Sequence, residues 1–365
     1  MIEIDKIKIK IKNNLTIRDA LRRVDRAGIG FAVAVDDNDI VVGILSDGDF
    51  RRAMLNDTSL DEKVGSIVNK SFLSVGKNYE KQQIKSIFSN TKVQHLPIIE
   101  SGKLINIIIK ESFYNSNSNK IVNKKKLNNL VVIMAGGKGT RLDPFTRILP
   151  KALIPIGNDP IIKVIMDNFS EYGMNDFYIS VNDKSRMIKS YFHDHSLNYD
   201  INFIEEDKPL GTAGSLKNIH EKTYKPFFVS NCDIIVKCNL EEVLDFHVDR
   251  KYDLTLIVSM QHYTIPYGVC KINNGGDLLN IIEKPEYDYL TNTGMYLINP
   301  DVLKYIPDNT YFDMTTLIDK LQENNIKVGV FPVSSKSWFD VGQWPEYEKT
   351  NAIFSVNNVF DKASI

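Results

Sequence analysis

The stretch that decides the fold is Leu130-Val131-Val132-Ile133-Met134-Ala135, followed by Gly136-Gly137-Lys138-Gly139-Thr140-Arg141-Leu142. A short apolar run that ends at a glycine-rich loop is typical of a buried strand in a parallel sheet. The loop lacks the last glycine of a dinucleotide-binding fingerprint and the upstream glycine of a Walker A loop. Its glycines still let backbone N–H groups approach phosphates closely. The sequence therefore predicts a phosphate-binding loop after a buried strand.

Strand and helix patterns alternate beyond this loop. A helix is predicted from Pro160 to Gly173, because its apolar residues recur at helical spacing between a proline and a glycine. A second helical stripe covers residues 314–321, and this order predicts an α/β domain with a mixed, mainly parallel sheet. Ligands of such sheets lie at the carboxyl ends of the strands. Further strands are predicted at residues 177–181, 227–230, 254–259 and 328–333.

The first third of the chain has a different organisation. Residues 115–129 are rich in Asn, Ser and Lys and break every apolar period, so we predict a linker there. Before it, a helical pattern followed by a hairpin pattern occurs twice, at an offset of about 63 residues. The hairpins are predicted at residues 30–45 and 94–109. The N-terminal alternation from Ile7 to Lys12 predicts a strand with one solvated face.

Composition excludes several classes of protein. The 365 residues carry a net charge of −1, which argues against nucleic-acid binding because that requires a basic surface. Three irregularly spaced cysteines predict neither a disulfide framework nor a zinc site. No apolar run reaches the roughly 18 residues of a membrane-spanning helix, and no signal segment is visible. We therefore expect a cytoplasmic protein with no nucleic-acid or membrane partner.

The repeated N-terminal unit resembles a tandem pair of CBS motifs, an α+β module that senses adenine nucleotides. The most specific segment is Gly43-Ile44-Leu45-Ser46-Asp47-Gly48-Asp49. The resemblance implies that Ser46 and Asp49 contact the phosphate and ribose of an adenine nucleotide. The second copy has Ile109 and Ser112 at those positions, so only the first site is expected. The alternative is a CBS pair used purely for assembly, and we expect a homo-oligomer formed through residues 1–114.

The rest of the chain, residues 130–365, resembles the sugar-1-phosphate nucleotidylyltransferases, which implies a Rossmann-like (GT-A-like) domain. The resemblance rests on the glycine-rich loop, on Pro150-Lys151-Ala152-Leu153-Ile154-Pro155 and on six ordered later motifs. Those motifs are Pro209-Leu210-Gly211-Thr212-Ala213-Gly214-Ser215, Asn231-Cys232-Asp233, Tyr267-Gly268-Val269, Glu283-Lys284-Pro285, Asn292-Thr293-Gly294-Met295-Tyr296 and Trp338-Phe339-Asp340-Val341-Gly342.

This resemblance implies a role for each matching residue. Asp233 and Asp340 would share Mg²⁺ with a nucleoside triphosphate, and Lys151 and Arg141 would neutralise the reacting phosphates. Such a donor set agrees with magnesium chemistry and with phosphoryl transfer without a covalent intermediate. Glu206 is the residue predicted to accept hydrogen bonds from the base, although the acidic run around it could also be a solvated turn. The remaining nucleotide-binding residues would be Gly136, Gly137, Gly139, Thr140, Gly211 and Thr212, and the sugar-phosphate residues would be Gly268, Glu283, Lys284, Asn292 and Thr293.

A narrower resemblance covers nearly the whole chain, because a CBS pair precedes the transferase motifs. It is to the glucosamine-1-phosphate guanylyltransferases of legionaminic acid biosynthesis. It implies that GTP and glucosamine 1-phosphate give GDP-glucosamine and pyrophosphate, for a nonulosonic acid of flagellin or surface glycans. The residues alone identify neither base nor sugar. The alternatives are a mannose-1-phosphate guanylyltransferase and a nucleotide sensor with an inactive transferase domain.

Overall fold

The computed structural model divides the chain into two compact units, Met1–Asn123 (unit 1) and Lys124–Ile365 (unit 2). The structure describes residues 9–28, 30–115, 126–182, 184–195, 197–219 and 223–362. Most of the predicted linker, and Ile7 and Lys8 of the predicted first strand, lie outside these residues.

Unit 1 contains two similar runs of strands and helices. In the first, β1 runs parallel to β2, and β2 pairs antiparallel with β3. In the second, β4 pairs antiparallel with β5, and Val75 forms a parallel bridge to Ile98 of β4. The elements are β1 (Lys10–Lys12), α1 (Ile17–Ala27), β2 (Phe31–Val35), β3 (Val41–Ser46), α2 (Asp47–Leu55), α3 (Lys81–Asn90), β4 (His95–Glu100), β5 (Lys103–Ile109) and α4 (Lys110–Asn115).

The two runs of unit 1 share a hydrophobic core. Phe31 of β2 stacks on His95 of β4 with ring centroids 4.7 Å apart, and Leu104 and Ile107 of β5 join the same cluster as Phe31. Burial lowers the pKa of His95 to about 4, so its ring is neutral at physiological pH. Ile9, directly before β1, lies in this core. Within β1, Ile11 is buried and Lys10 is half-buried.

Unit 2 is built on a seven-stranded sheet with the order β10-β9-β6-β11-β16-β13-β17. Six strands run in one direction, and β16 alone runs antiparallel to both of its neighbours. The strands are β6 (Val131–Met134), β7 (Pro155–Ile156), β8 (Asp159–Pro160), β9 (Asp176–Val181), β10 (Asp200–Glu205), β11 (Phe227–Asn231), β12 (Ile234–Val236), β13 (Leu254–Thr264), β14 (Val269–Ile272), β15 (Leu278–Ile282), β16 (Glu286–Ile298), β17 (Val328–Val333) and β18 (Trp338–Asp340).

Helices cover both faces of this sheet. Val131 and Ile133 of β6 face one core, which also contains residues of α6 (Ile161–Ser170) and α8 (Leu240–Arg250). Val132 and Met134 face a second core, which contains residues of α9 (Met314–Glu323). This alternation follows from the two-residue period of a strand, and it buries β6 on both sides. The helices are α5 (Phe145–Ile148), α6 (Ile161–Ser170), α7 (Ser185–Asp194), α8 (Leu240–Arg250), α9 (Met314–Glu323) and α10 (Trp344–Lys362).

The predicted fold class is confirmed: the sheet is mixed and mainly parallel, with helices between its strands. Residues 127–129 of the predicted linker are packed in unit 2, since Leu127 is in the first core and Asn129 donates to the Pro226 carbonyl. None of the helices in the part of the chain that the structure describes is long and apolar enough to cross a membrane.

Candidate active site

Two predicted carboxylates are brought together by a short strand pair that is separate from the main sheet. Asp233 precedes β12 and Asp340 ends β18, and β12 and β18 pair antiparallel with Ile234 opposite Asp340. Lys151 forms a largely buried ion pair with Asp233. A methyl group on Gly342 would lie 2.7 Å from Asp233 Oδ2, 3.0 Å from Asp340 Oδ1 and 3.4 Å from Lys151 Nζ. The three charged groups therefore converge on Gly342.

The electrostatics of this cluster follow from the two carboxylates. Burial raises the pKa of Asp340, and the neighbouring Asp233 raises it further. Lys151 and Arg141 lower the same pKa, as does the Gly342 N–H group, which donates to Asp340 Oδ1 at 2.7 Å. Adjacent to Asp233, burial raises the pKa of the Cys232 thiol to about 12, which keeps that thiol neutral. The negative charges of Asp233 and Asp340 are therefore partly balanced by the positive charges of Lys151 and Arg141.

The glycine-rich loop lies beside these groups. Gly139 has φ +68°, and its Cα lies against Lys151 and Thr146, so that a methyl group there would be 3.1 Å from Lys151 Cβ. Thr146 donates to the Gly139 carbonyl at 3.0 Å, and Lys184 donates to the Thr146 carbonyl. Gly137, Thr140 and Arg141 are exposed on the same loop. Thr146 and Lys184 were not predicted to lie at this loop, because neither belongs to a recognisable motif.

Glu206 is a fixed, buried carboxylate. It follows β10, and its side chain accepts hydrogen bonds from the Ser180 hydroxyl and from the Leu210 N–H group at 2.9 Å. A methyl group on Gly136 would lie 2.9 Å from Glu206 Oε1. The residue is 9% exposed, so the alternative of a solvated acidic turn is wrong at this position. Glu206 therefore lies beside the junction between β6 and the glycine-rich loop.

The loop with Gly211 and Thr212 is held by a segment about 100 residues later in the chain. Asp313 Oδ1 accepts from the Thr212 N–H group at 3.0 Å and from its hydroxyl at 3.2 Å. The Thr212 hydroxyl accepts from the Met314 N–H group at 2.8 Å, at the start of α9. Gly211 has φ +78° and lies against the Phe312 carbonyl. Asp313 was not predicted to contact this loop, because it lies 101 residues after Thr212 in the sequence.

Three of the five predicted sugar-phosphate residues, Gly268, Glu283 and Lys284, lie at the base of the β14–β15 hairpin. A methyl group on Gly268 would lie 2.9 Å from Glu283 Oε2, so the two residues face each other across the hairpin. The Ile265 N–H group donates to the Pro285 carbonyl at 3.0 Å and closes that base. Lys284 is exposed and has φ +46°, a left-handed conformation that a lysine rarely adopts. Such backbone strain is more common at functional sites than elsewhere.

Asn292 and Thr293 lie at the irregularity between β13 and β16. The Thr293 side chain is buried and donates to the Ile257 carbonyl at 2.7 Å. Asn292 donates to the Tyr296 hydroxyl at 2.8 Å, and its Oδ1 accepts from the Gly294 N–H group. Both side chains therefore shape this bend in the strand pair. Gly294 lies against the side chain of Asn231. Asn231 is the last residue of β11 and lies two residues before Asp233.

The arrangement of Asp233 and Asp340 fits a magnesium ion. Mg²⁺ in proteins is held by one or two carboxylates together with substrate phosphates. The two side chains converge on one point. Burial raises the pKa of Asp340, the neighbouring Asp233 raises it further, and a cation held between the two carboxylates would oppose both effects. No larger cluster of His, Cys, Asp or Glu suitable for a metal occurs among the described residues.

The first CBS-like segment uses its polar residues to cap a helix. Asp49 Oδ2 accepts from the Ser46 hydroxyl at 2.7 Å and from the Ser46 N–H group at 2.8 Å, forming a capping box at the start of α2. Arg52 pairs with the other carboxylate oxygen of Asp49 at 2.5 Å. Asp49 is buried, and its proposed ligand role stays a prediction. At the second copy, Ile109 ends β5 and Ser112 lies in α4.

Similar proteins were found among curated sequences and solved structures. A UTP–glucose-1-phosphate uridylyltransferase of Synechocystis sp. is 29% identical and covers 59% of this chain and 61% of its own. A mannose-1-phosphate guanyltransferase of Emericella nidulans is 32% identical and covers 58% and 60%. The crystal structure of HddC from Yersinia pseudotuberculosis matches with a TM-score of 0.50 and 25% identity, over 62% of this chain and 99% of that one. The chain thus spans about three fifths of the length of the curated relatives it matches.

Two family models match the chain, one in each unit. The CBS domain model matches residues 5–56, which include the first of the two similar runs in unit 1. The second model is described as nucleotidyl transferase and matches residues 130–355, which contain the glycine-rich loop and the converging carboxylates. By this match over more than half of its length, the chain belongs to the nucleotidyl transferase family.

Proposed function

We propose that the protein is a sugar-1-phosphate nucleotidylyltransferase that uses Mg²⁺. The observation that carries the proposal is the convergence of Lys151, Asp233 and Asp340 on Gly342, beside a glycine-rich loop. Two anions must meet in this reaction, and catalysis rests on positioning and charge neutralisation. The cluster offers cations for the phosphates and two carboxylates for a divalent ion.

Each residue has a task in this reaction. The sugar-phosphate oxygen attacks the α-phosphorus in line, a new phosphorus–oxygen bond forms, and pyrophosphate leaves with the electrons of the bond that breaks. Lys151 and Arg141 would neutralise charge on the reacting phosphates, and the N–H groups of the glycine-rich loop would hold the triphosphate. Asp233 and Asp340 would hold Mg²⁺, which when bound offsets the charge of the triphosphate.

We propose GTP as the nucleotide and glucosamine 1-phosphate as the sugar phosphate, so that the products are GDP-glucosamine and pyrophosphate. A buried carboxylate such as Glu206 can accept both donors on the Watson–Crick edge of guanine. A CBS-like unit precedes the transferase unit in this chain. This order supports glucosamine 1-phosphate as the sugar phosphate and a place in legionaminic acid biosynthesis. The second candidate is mannose 1-phosphate, which the identity to mannose-1-phosphate guanyltransferases favours.

A pyrophosphate-release assay with the full-length protein tests these assignments. Four ribonucleoside triphosphates would be combined with glucosamine, mannose and glucose 1-phosphates in the presence of Mg²⁺. We expect the highest kcat/KM for GTP with glucosamine 1-phosphate. Preference for mannose 1-phosphate would select the second candidate. No turnover with any pair would support the third possibility, a nucleotide sensor with an inactive transferase unit.

We further propose that residues 1–114 form a CBS pair, that residues 115–129 connect it to the transferase domain of residues 130–365, and that the pair assembles the protein into a homo-oligomer. An adenine nucleotide would bind at Ser46 and Asp49 by exchanging the capping contacts for contacts to ribose and phosphate. Calorimetry of the full chain with AMP and ATP tests the ligand, and Asp49→Ala should abolish the binding heat. Equal heats in both proteins would remove this site from the proposal.

A further inference from the structure

The helix α10 contacts both of the chain segments that form the charged cluster at Gly342. α10 (Trp344–Lys362) follows shortly after Asp340 and packs against β18, the strand that this aspartate ends. It also packs against β7 (Pro155–Ile156), which follows shortly after Lys151. Asp340 and Lys151 are far apart in the sequence, so contacts between distant segments must set their spacing.

Two side chains of α10 hold the backbone that follows Lys151. The hydroxyl of Tyr347, a buried residue, donates to the Pro155 carbonyl at 3.1 Å. One turn later, Asn351 Oδ1 accepts from the Gly157 N–H group at 2.9 Å. Tyr347 and Asn351 are four residues apart, so they lie on the same face of the helix. This face therefore fixes β7 and the residue that follows it, just beyond the lysine.

A third side chain of the helix reaches the segment that precedes Lys151. The Trp344 indole N–H group donates to the Asp143 carbonyl at 2.8 Å. The Trp344 ring also packs against Phe145, with ring centroids 4.9 Å apart. The Thr146 hydroxyl lies within hydrogen-bond distance of both the Asp143 side chain and the Gly139 carbonyl, at 3.1 and 3.0 Å. These contacts connect the first turn of α10 to the glycine-rich loop.

The chain that leads into α10 is also fixed to the backbone of both aspartates. The Val341 N–H group donates to the Asp233 carbonyl at 2.9 Å. The buried Thr350 side chain of α10 makes a longer hydrogen bond of 3.5 Å to the Asp340 carbonyl. The same helix is therefore anchored at the carboxylates and on both sides of the lysine.

These anchors matter because Lys151 has little regular structure of its own. It begins a single 3₁₀ turn, Lys151–Leu153, so its position depends on what holds the flanking backbone. Groups held by rigid elements are placed more precisely than groups on loops. We propose that α10 positions Lys151 relative to Asp340, and that Tyr347 and Asn351 are positioning residues. The catalytic consequence rests on the proposed function, whereas the positioning itself can be measured without activity.

A matched pair of tyrosines separates positioning from stability. The Tyr172 hydroxyl also donates to a backbone carbonyl at 3.1 Å, that of Cys238, and Tyr172 is buried in the same hydrophobic core as Tyr347. Tyr347→Phe and Tyr172→Phe therefore remove the same kind of hydrogen bond, and thermal unfolding should show similar losses of stability. Of the two, Tyr347→Phe removes the contact to the segment that follows Lys151.

Steady-state kinetics of pyrophosphate release by the full-length protein measure the catalytic consequence. Tyr347→Phe combined with Asn351→Leu should lower kcat by roughly 10- to 100-fold, the effect of displacing a reacting group by about 1 Å. The KM of each substrate should change by less than about three-fold, because the displaced groups act on the transition state. Tyr172→Phe should keep the wild-type kcat. Asn351→Asp keeps an oxygen acceptor for the Gly157 N–H group, so it should retain a higher kcat than Asn351→Leu.

Hydrogen–deuterium exchange of the same proteins without substrates tests the positioning itself. Peptides that cover residues 140–157 should exchange about ten-fold faster in the double variant than in the wild-type protein, because amide exchange reports local opening. Peptides of β6 and β9 should keep the wild-type rates. Unchanged exchange of residues 140–157, or a wild-type kcat in the double variant, would each overturn the proposal. If the wild-type protein showed no turnover, the proposed function would fail, and faster exchange in the double variant would still support positioning by α10.

Discussion

The candidate site has two proposed walls, a triphosphate wall with Lys151 and Asp233 and a sugar wall with Glu283 and Lys284, and they are built differently. On the triphosphate wall, Lys151 and Asp233 have side chains that are 11% and 16% exposed, and they lie beside strands of the packed sheet. On the sugar wall, Glu283 and Lys284 are exposed at the base of a hairpin that has no core of its own among the described residues. Under the proposed function, the fold preorganises the groups that act on the phosphates, whereas the proposed sugar wall depends on fewer fixed contacts.

This difference has an energetic consequence. Charged groups fixed in a water-poor site do not have to reorganise as charge develops, so they contribute most to the transition state. Charges at an exposed position are screened, and an interaction of equal strength in the ground state and the transition state changes KM without changing kcat. We therefore expect substitutions on the triphosphate wall to lower kcat, and substitutions on the sugar wall to raise the KM of the sugar phosphate.

The largest effect is expected at the carboxylate pair. Asp233→Asn and Asp340→Asn should each lower kcat by about 10³-fold or more, since each removes a charged ligand where two carboxylates and a cation would meet. The fold should persist, because an uncharged amide of the same shape also relieves the repulsion between the two carboxylates. Steady-state kinetics at saturating Mg²⁺ measure the effect. Asp308→Asn, at a carboxylate that is 88% exposed, is the control. A near-normal kcat in either site variant would remove that residue from the metal site.

The next effect concerns the lysine of the same wall. Lys151→Ala should lower kcat by roughly 10²–10³-fold, the usual loss for one electrostatic donor aimed at developing charge. Lys138 is the matched control, since it lies on the glycine-rich loop but is exposed, and Lys138→Ala should lose much less. Equal losses in the two variants would show that burial beside Asp233 does not distinguish Lys151 from other loop cations.

On the sugar wall, Glu283→Gln and Lys284→Ala should act on binding of the sugar phosphate. Each should raise the KM of the sugar phosphate by roughly 10- to 100-fold and change the KM of the triphosphate by less than about three-fold, because a lost charged hydrogen bond costs about 1.5–3 kcal/mol. Asp277→Asn, at the exposed turn of the same hairpin, is the control. A fall in kcat as large as that of Asp233→Asn, with both KM values unchanged, would contradict this inference. The sugar wall would then affect the chemical step and not the binding of the sugar phosphate.

The sequence predicts the triphosphate wall better than it predicts the sugar wall. The strand β6, its glycine-rich loop and the parallel neighbours at residues 177–181 and 227–230 were predictable, because short apolar runs next to turn residues carry a local signal. The antiparallel β16 was not predicted, because its exposed first half alternates little. Contacts of long sequence separation left no signal either. Asp313 holds the Thr212 loop from 101 residues away, and Ser180 fixes Glu206 from a neighbouring strand.

The smallest effect is expected at Glu206. This residue is buried, like those of the triphosphate wall, but it is proposed to select the base without taking part in the chemistry. It therefore tests whether burial alone makes a residue important for kcat. Its two oxygens already accept from Ser180 and Leu210, and a carboxylate has lone pairs left for both guanine donors. Glu206→Gln replaces one acceptor by an N–H donor, which would face a guanine N–H group and leave it without an acceptor.

We therefore expect the ratio of kcat/KM for GTP over ATP to fall by about ten-fold, the size of one unmade hydrogen bond, while kcat with GTP stays within a few-fold. Glu205→Gln is the matched control, because Glu205 is the adjacent residue, is exposed and pairs with Lys189. Paired assays of pyrophosphate release with the two triphosphates measure the ratio. If Glu206→Gln kept the wild-type ratio, the base would be selected elsewhere on the buried wall, and the network around Glu206 would serve only to hold the loop that begins at Gly136.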